Sequence, residues 1–144
     1  MGFNGREALE ALGAGIDITA VERVAALCGR KSRAMARLFT PVEIDDAGSG
    51  RHQFPRLASR FAAKEALIKA AGGLHGSTYR DIEIRRRPGE APVVRVSGPL
   101  RSWLDKAGLA ITLSLSHERD FAVAMVFLVP REGGQSHVRG SVDT

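Results

Sequence analysis

The chain has 144 residues, 44% of them hydrophobic and 26% charged, which suits one globular domain with a core of its own. A single cysteine, Cys28, excludes an internal disulfide and fits a reducing compartment, and no stretch approaches the ~20 apolar residues of a membrane-spanning helix. The N-terminus lacks the cationic and apolar regions of a signal peptide, so the expected location is cytoplasmic. The net charge of +5 points to an anionic partner: nucleic acid, a phosphorylated cofactor or an acidic protein.

In chain order, residues 1–12 read as an N-terminal extension with a short helix through "REALEAL". "GAGIDI" reads as a strand, with Ile16 and Ile18 on one face and Asp17 on the other. Thr19 and Glu22 have capping-box spacing, so Thr19 is the expected N-cap of a helix over "TAVERVAAL", with Cys28 as a packed thiol just beyond. "SRAMARLF" is again helical, and Thr40, Pro41 and Glu43 stand at helix-start positions. A loop, "AGSGRHQFP", precedes a long helix from about Pro55 to Ala71 that Gly72 and Gly73 close.

The second half is rich in strands. "YRDIEIRRR" and "PVVRV" flank a Pro/Gly turn, "PLRSWLDKAG" reads as a short helix, and "AITLSLSH" alternates with Ile111, Leu113 and Leu115 inward. "FAVAMVFLV" is apolar on both faces, as in a central strand covered twice, and "HERD" joins it to its predecessor as an antiparallel hairpin. Residues 130–144 read as a disordered tail, which leaves a single domain over 13–129. The fold class is α+β, one long helix packed on a small antiparallel sheet.

The long helix raises the chemical question, because "RFAAKEALIKAAGG" is small and apolar except for Arg60, Lys64, Glu65 and Lys69. At 100° per residue Glu65 and Lys69 share a stripe with Phe61, Ala62 and Ile68, while Arg60 and Lys64 stand to one side of it. An i,i+4 ion pair of Glu65 with Lys69 is one explanation, contributing roughly 0.3–0.5 kcal/mol on an exposed helix. The other is a carboxylate in a cleft holding a metal that meets phosphate, which calls for a second carboxylate; Asp17, with Thr19 as the cap, is the candidate. No nucleotide-binding glycine fingerprint, zinc-ligand spacing or G-x-S-x-G elbow is present. His117 alone would be a strand-end histidine bonded to nearby backbone, unless a basic phosphate pocket uses it.

"GIDI", "RFAAKEALIKA" and "SLSH", in this order and spacing, resemble the holo-acyl-carrier-protein synthases of the phosphopantetheinyl transferase superfamily over roughly residues 13–128. The resemblance implies that fold, a homotrimer with each coenzyme A site between two subunits, and a reaction. In it, 4′-phosphopantetheine moves from coenzyme A to a serine of apo-acyl carrier protein, releasing adenosine 3′,5′-bisphosphate. By position, Asp17 and Glu65 would bind Mg²⁺ and Lys69 would approach the pyrophosphate. Arg60 and His117, with Lys64 beside them, would hold the nucleotide 3′-phosphate, and Gly72 and Gly73 would belong to the glycine-rich loop near the pantetheine and phosphates. Arg23, Arg30 and Arg33 align with arginines that dock the acidic carrier, of fatty-acid or polyketide synthesis. The expected partners are therefore coenzyme A and a carrier, with neither nucleic acid nor membrane. The alternative, a non-enzymatic basic module that binds nucleic acid, would show a steep salt dependence; aromatics at 6% and no interleaving with basic residues argue against it. The turn "PGEAP" and the shortened strand before "GIDI" depart from the family pattern.

Overall fold

The computed structural model describes residues 13–30, 32–131 and 139–142. The expected N-terminal helix and most of the tail lie outside them. The elements run β1 (Gly13–Ala20), α1 (Val21–Arg30), α2 (Ser32–Leu38), α3 (Pro41–Ala47), a 3₁₀ turn (Gly50–His52) and α4 (Gln53–Ala71). A second 3₁₀ turn (Tyr79–Asp81) follows, then β2 (Ile82–Arg85), β3 (Val93–Val96), α5 (Gly98–Ala107), β4 (Leu109–Glu118), β5 (Phe121–Pro130) and β6 (Arg139–Val142). The α+β reading holds: α4 lies on a sheet of order β1-β5-β4-β6, and β2 and β3 form a separate hairpin.

Two of the three strand pairs in the sheet are antiparallel, β1 to β5 and β5 to β4, whereas β6 joins β4 in parallel. The four residues of β6 are thus a strand where an irregular tail was expected: the open edge of β4 offers unpaired backbone groups that a polar strand can satisfy as well as an apolar one.

β1 and α4 meet backbone to backbone. A Cβ on Gly15 would stand 1.9 Å from the carbonyl oxygen of Ala66 and 2.8 Å from the amide nitrogen of Ala70, and one on Gly13 would stand 2.4 Å from the carbonyl oxygen of Ala70. Only glycine fits such an approach. The helix answers with small residues: Ala58, Ala62, Ala63 and Ala66 are buried, and the inner face of β5 carries Ala122 and Ala124. Val126, Leu128, Ile111, Leu113 and Leu115 complete this layer of the core.

β5 is central, as expected, but among the described residues only its inner face is covered. Phe121, Met125 and Phe127 project from the outer face with 39–50% exposure, next to Ile16 and Ile18 on β1. The alternation of β1 is as expected too, with the isoleucines outward and Asp17 turned toward α4.

The helix signals are mixed. Thr40 caps α3 in a full capping box, its hydroxyl accepting from the Glu43 amide at 3.2 Å and Glu43 accepting from the Thr40 amide at 2.8 Å. The C-terminus of α4 closes on Gly72 in the left-handed region, φ 74°. Thr19, however, is not the cap of α1. It lies inside β1 and its hydroxyl donates to Asp17 Oδ2 at 2.6 Å, while the Val21 amide that begins α1 donates to the Asp120 carbonyl at 2.8 Å.

Candidate active site

Two groups of polar residues flank α4. The first gathers where β1 crosses the middle of the helix. Asp17, on the helix-facing side of β1, accepts from Thr19 and from Lys69, whose Nζ stands 3.1 Å from Asp17 Oδ1 and 2.9 Å from the Ile16 carbonyl. Glu65 is half-buried and accepts a short hydrogen bond from the Tyr79 hydroxyl. The i,i+4 pair of Glu65 with Lys69 is not among the ion pairs, because Lys69 reaches across to the strand instead. Asp17, which looked idle in the sequence, therefore has two donors that fix its carboxylate.

The carboxylates Asp17 and Glu65 surround Tyr79 with negative charge. Burial, the hydrogen bond to Glu65 and the charges of Glu65 and Asp17 push the Tyr79 phenol up to about 12, with Arg23 opposing. Among the described residues no group of three His, Cys, Asp or Glu side chains gathers to hold a metal. A cation here would therefore need oxygens from phosphate and water besides the two carboxylates. That donor set, all oxygen and incomplete without substrate, suits a hard ion such as Mg²⁺.

The second group lines a cleft of ≈ 450 Å³ beside the N-terminal half of α4, formed by Arg56, Ser59 and Arg60 with Arg86, His117, Arg119, His52 and Asp46. Arg60 is 4% exposed. One of its terminal nitrogens donates to the Arg56 carbonyl at 3.1 Å, and its Nε is buried without a partner. Burial pulls its guanidinium below the usual arginine range, with Glu43 and Asp46 opposing and Arg86 and Arg56 reinforcing. A guanidinium buried among other arginines, with no ion pair among the described residues, is suited to receive an anion. His117 reaches this cleft because it continues the inward face of β4 one step past Leu115, opposite Ala122.

The structure brings Arg60 and His117 together, and separately Asp17, Glu65 and Lys69. Glu65 lies five residues after Arg60, about 7.5 Å along the helix axis. Gly72 and Gly73 are at the far end, Gly72 about 18 Å beyond Arg60, so one chain does not bring them to the arginine cleft. Lys64 requires a correction. It was expected beside the phosphate, yet its side chain is fully buried and its ammonium donates to Glu43 at 2.6 Å, the Leu38 carbonyl at 2.7 Å and the Tyr79 carbonyl at 3.0 Å. With its three protons engaged and the Phe39 ring 5.3 Å away, it has none left for a cofactor.

Of the arginines read as docking residues, Arg23 and Arg33 are exposed. The side chain of Arg30 lies outside the described part of the structure. Arg23 sits 6.0 Å from the centroid of the Phe61 ring, which in turn stacks on Tyr79, so a cation of α1 borders the Asp17–Glu65 site. Tyr79 itself, Arg56 and Arg86 were not singled out in the sequence. Tyr79 carried a usable signal, as the only tyrosine in the chain and just ahead of a strand.

The family model described as the 4′-phosphopantetheinyl transferase superfamily matches residues 13–126. The holo-[acyl-carrier-protein] synthase of Desulforudis audaxviator is 41% identical over 121 residues, covering 82% of this chain and 92% of its own. Among solved structures, the holo-[acyl-carrier-protein] synthase of Neisseria meningitidis superposes with a TM-score of 0.71 at 33% identity, covering 81% of this chain and 96% of its own. That of Bacillus anthracis, solved in complex with CoA (3′,5′-ADP), gives 0.66 at 33% identity, covering 82% and 96%. The chain belongs to the 4′-phosphopantetheinyl transferase superfamily, among the holo-[acyl-carrier-protein] synthases. Neither the family model nor the similar structures support the alternative reading as a nucleic-acid module.

Proposed function

We propose that this chain transfers 4′-phosphopantetheine from coenzyme A to a serine of an apo-acyl carrier protein, in a Mg²⁺-dependent reaction. The observation that carries the proposal is a buried Arg60, its Nε without a partner, in an arginine-lined cleft, with Glu65 a turn and a half further along α4 and Asp17 on the strand that crosses it.

Arg60 and His117 would hold the 3′-phosphate of coenzyme A, with Arg56 and Arg86 adding positive charge to the same cleft. Asp17 and Glu65 would hold the metal against the pyrophosphate. Thr19 and Lys69 donate to Asp17 and so fix the orientation of that carboxylate. When bound, Mg²⁺ supplies charge neutralisation on the pyrophosphate oxygens. Lys69, with its side chain 53% exposed, is free to turn a proton toward the same oxygens as charge builds on the departing 5′-phosphate. In the transfer the serine oxygen forms a bond to the phosphorus of phosphopantetheine, and the bond from that phosphorus to the oxygen of the nucleotide 5′-phosphate breaks. The serine proton passes to a water held near Asp17 or Glu65.

Exposed Arg23 on α1 and Arg33 on α2, with Arg30 between them in sequence, mark the surface we assign to the acidic carrier. The apolar outer face of the sheet that the described residues leave exposed, with Ile16, Ile18, Phe121, Met125 and Phe127, supports a homotrimer in which a second subunit covers it. No described helix is long and apolar enough to cross a membrane, and the buried free thiol of Cys28 fits the cytoplasm.

Incubating the protein with an apo-carrier, coenzyme A and Mg²⁺ should add one phosphopantetheine to the carrier, while Glu65→Gln should abolish transfer and leave the fold intact. Full activity of Glu65→Gln would remove Glu65 from the metal site, and no gain across several carriers would overturn the function.

A further inference from the structure

Beneath Glu65 the structure contains a polar relay that the transfer chemistry above does not require. Tyr79 belongs to the short 3₁₀ turn Tyr79–Asp81, an element with too few residues to hold its own shape. Its backbone is nevertheless held from several sides. Lys64 donates to the Tyr79 carbonyl at 3.0 Å from inside the core. The Thr78 amide donates to Asp81 at 2.9 Å, the Asp81 amide to the Thr78 carbonyl at 3.1 Å, and the Ser97 amide of the chain entering α5 to the Asp81 carbonyl at 2.9 Å.

The ring is held too. It stacks on Phe61 at 6.0 Å between centroids and only 5° from parallel. Lys64 is in turn fixed by Glu43, whose carboxylate accepts from the Thr40 and Ile84 amides as well. A fully buried ion pair, a carbonyl and a stacked ring thus converge to aim one phenolic O–H at one oxygen of Glu65. A tyrosine whose hydroxyl had no task could be phenylalanine at this place without loss of packing.

We propose that Tyr79 is a positioning residue for transfer, holding the Glu65 carboxylate in the orientation that takes the divalent cation, with the Lys64–Glu43 pair anchoring Tyr79 from the core. The inference rests on the proposed metal role of Glu65. A carboxylate ligand with one oxygen tied to a rigid donor has a single rotamer to present, whereas a free one must be ordered when the cation binds. Outer-shell partners of this kind are worth about 10–100-fold in metal affinity or activity.

The test is Tyr79→Phe, which keeps the ring on Phe61 and removes only the hydroxyl. Mn²⁺ binding to the protein–coenzyme A complex, followed by electron paramagnetic resonance, should weaken by about 10–100-fold. Transfer should need correspondingly more Mg²⁺, recover at saturating metal, and show an unchanged KM for the carrier. A second measurement needs no variant. Tyr79 is the only tyrosine, so protein grown with 3-fluorotyrosine has a single ¹⁹F signal, which should shift when Mg²⁺ is added with coenzyme A. Wild-type transfer together with Mn²⁺ affinity of Tyr79→Phe within twofold of wild type, or a ¹⁹F signal indifferent to Mg²⁺, would overturn the inference alone. Wild-type protein that neither binds Mn²⁺ nor transfers phosphopantetheine would overturn the proposed function and this inference with it.

Discussion

Replacing Lys64 by methionine is the perturbation whose cost can be worked out most fully from the structure. The side chain is completely buried, so methionine of similar length meets the same Phe39 ring and needs no new space. What it removes is a cation and three hydrogen bonds of 2.6, 2.7 and 3.0 Å. Glu43, also fully buried, is left as an uncompensated carboxylate, and the Leu38 and Tyr79 carbonyls lose their side-chain donor. Breaking a buried pair from one side costs about 3–5 kcal/mol, against a total stability of about 5–15 kcal/mol for a single domain. At roughly 3 °C per kcal/mol for a chain of this size, the melting temperature should fall by roughly 10–15 °C. Differential scanning calorimetry at fixed protein concentration measures this directly. The double variant Lys64→Met/Glu43→Gln removes the stranded charge. It should therefore cost less than the sum of the two single variants by about 2 kcal/mol, although the Ile84 amide loses part of its acceptor. A Lys64→Met protein melting within ~3 °C of wild type, about 1 kcal/mol, would refute the assignment of Lys64 as a buried, paired cation.

Arg60→Met should raise the KM for coenzyme A about 10–100-fold, the value of a charge-assisted hydrogen bond in a buried site, and leave that for dephospho-coenzyme A unchanged. Equal losses on both substrates would place Arg60 away from the 3′-phosphate. Tyrosinate absorbance in the metal-free protein reports Tyr79 alone and should have its midpoint at about 12 in the native state. The folded value lies above the ordinary value of about 10, so the stability contributed by the neutral phenol is fully present below about pH 10. It is lost as pH rises from there through about 12, and a native midpoint near 10 would contradict the bond to Glu65. Reversing Arg23 and Arg33 to glutamate should lower kcat/KM for the carrier about tenfold at low salt and flatten its salt dependence, with KM for coenzyme A unaffected. An unchanged salt profile would place carrier docking elsewhere.

Much of the fold was legible because it depends on local pattern. The apolar run and terminal glycines of α4, the capping box at Thr40 and the alternation of β4 each announce themselves within a few residues. Asp17, Glu65 and Lys69 were legible as a group, although the pairing was not. Lys69 binds Asp17, 52 positions away, in preference to Glu65 one turn before it, because β1 brings an acceptor carbonyl and a carboxylate together. Lys64 was misread because its partner Glu43 lies 21 residues upstream on another helix, and no spacing rule links them. Thr19 carried a capping pattern that the strand used differently, its hydroxyl turning to Asp17. The glycines of "GAG" were the most informative residues passed over, since their role depends on the backbone of Ala66 and Ala70 lying against them.

The central claim is group transfer from coenzyme A to a carrier serine, and measuring both products of one reaction tests it most directly. Protein, Mg²⁺, coenzyme A and an apo-carrier would be mixed, and the intact mass of the carrier followed alongside adenosine 3′,5′-bisphosphate. The account predicts that nucleotide release and addition of one phosphopantetheine to the carrier proceed one to one, both lost in Glu65→Gln. Nucleotide released without modification of the carrier, or neither product with any carrier, would contradict it.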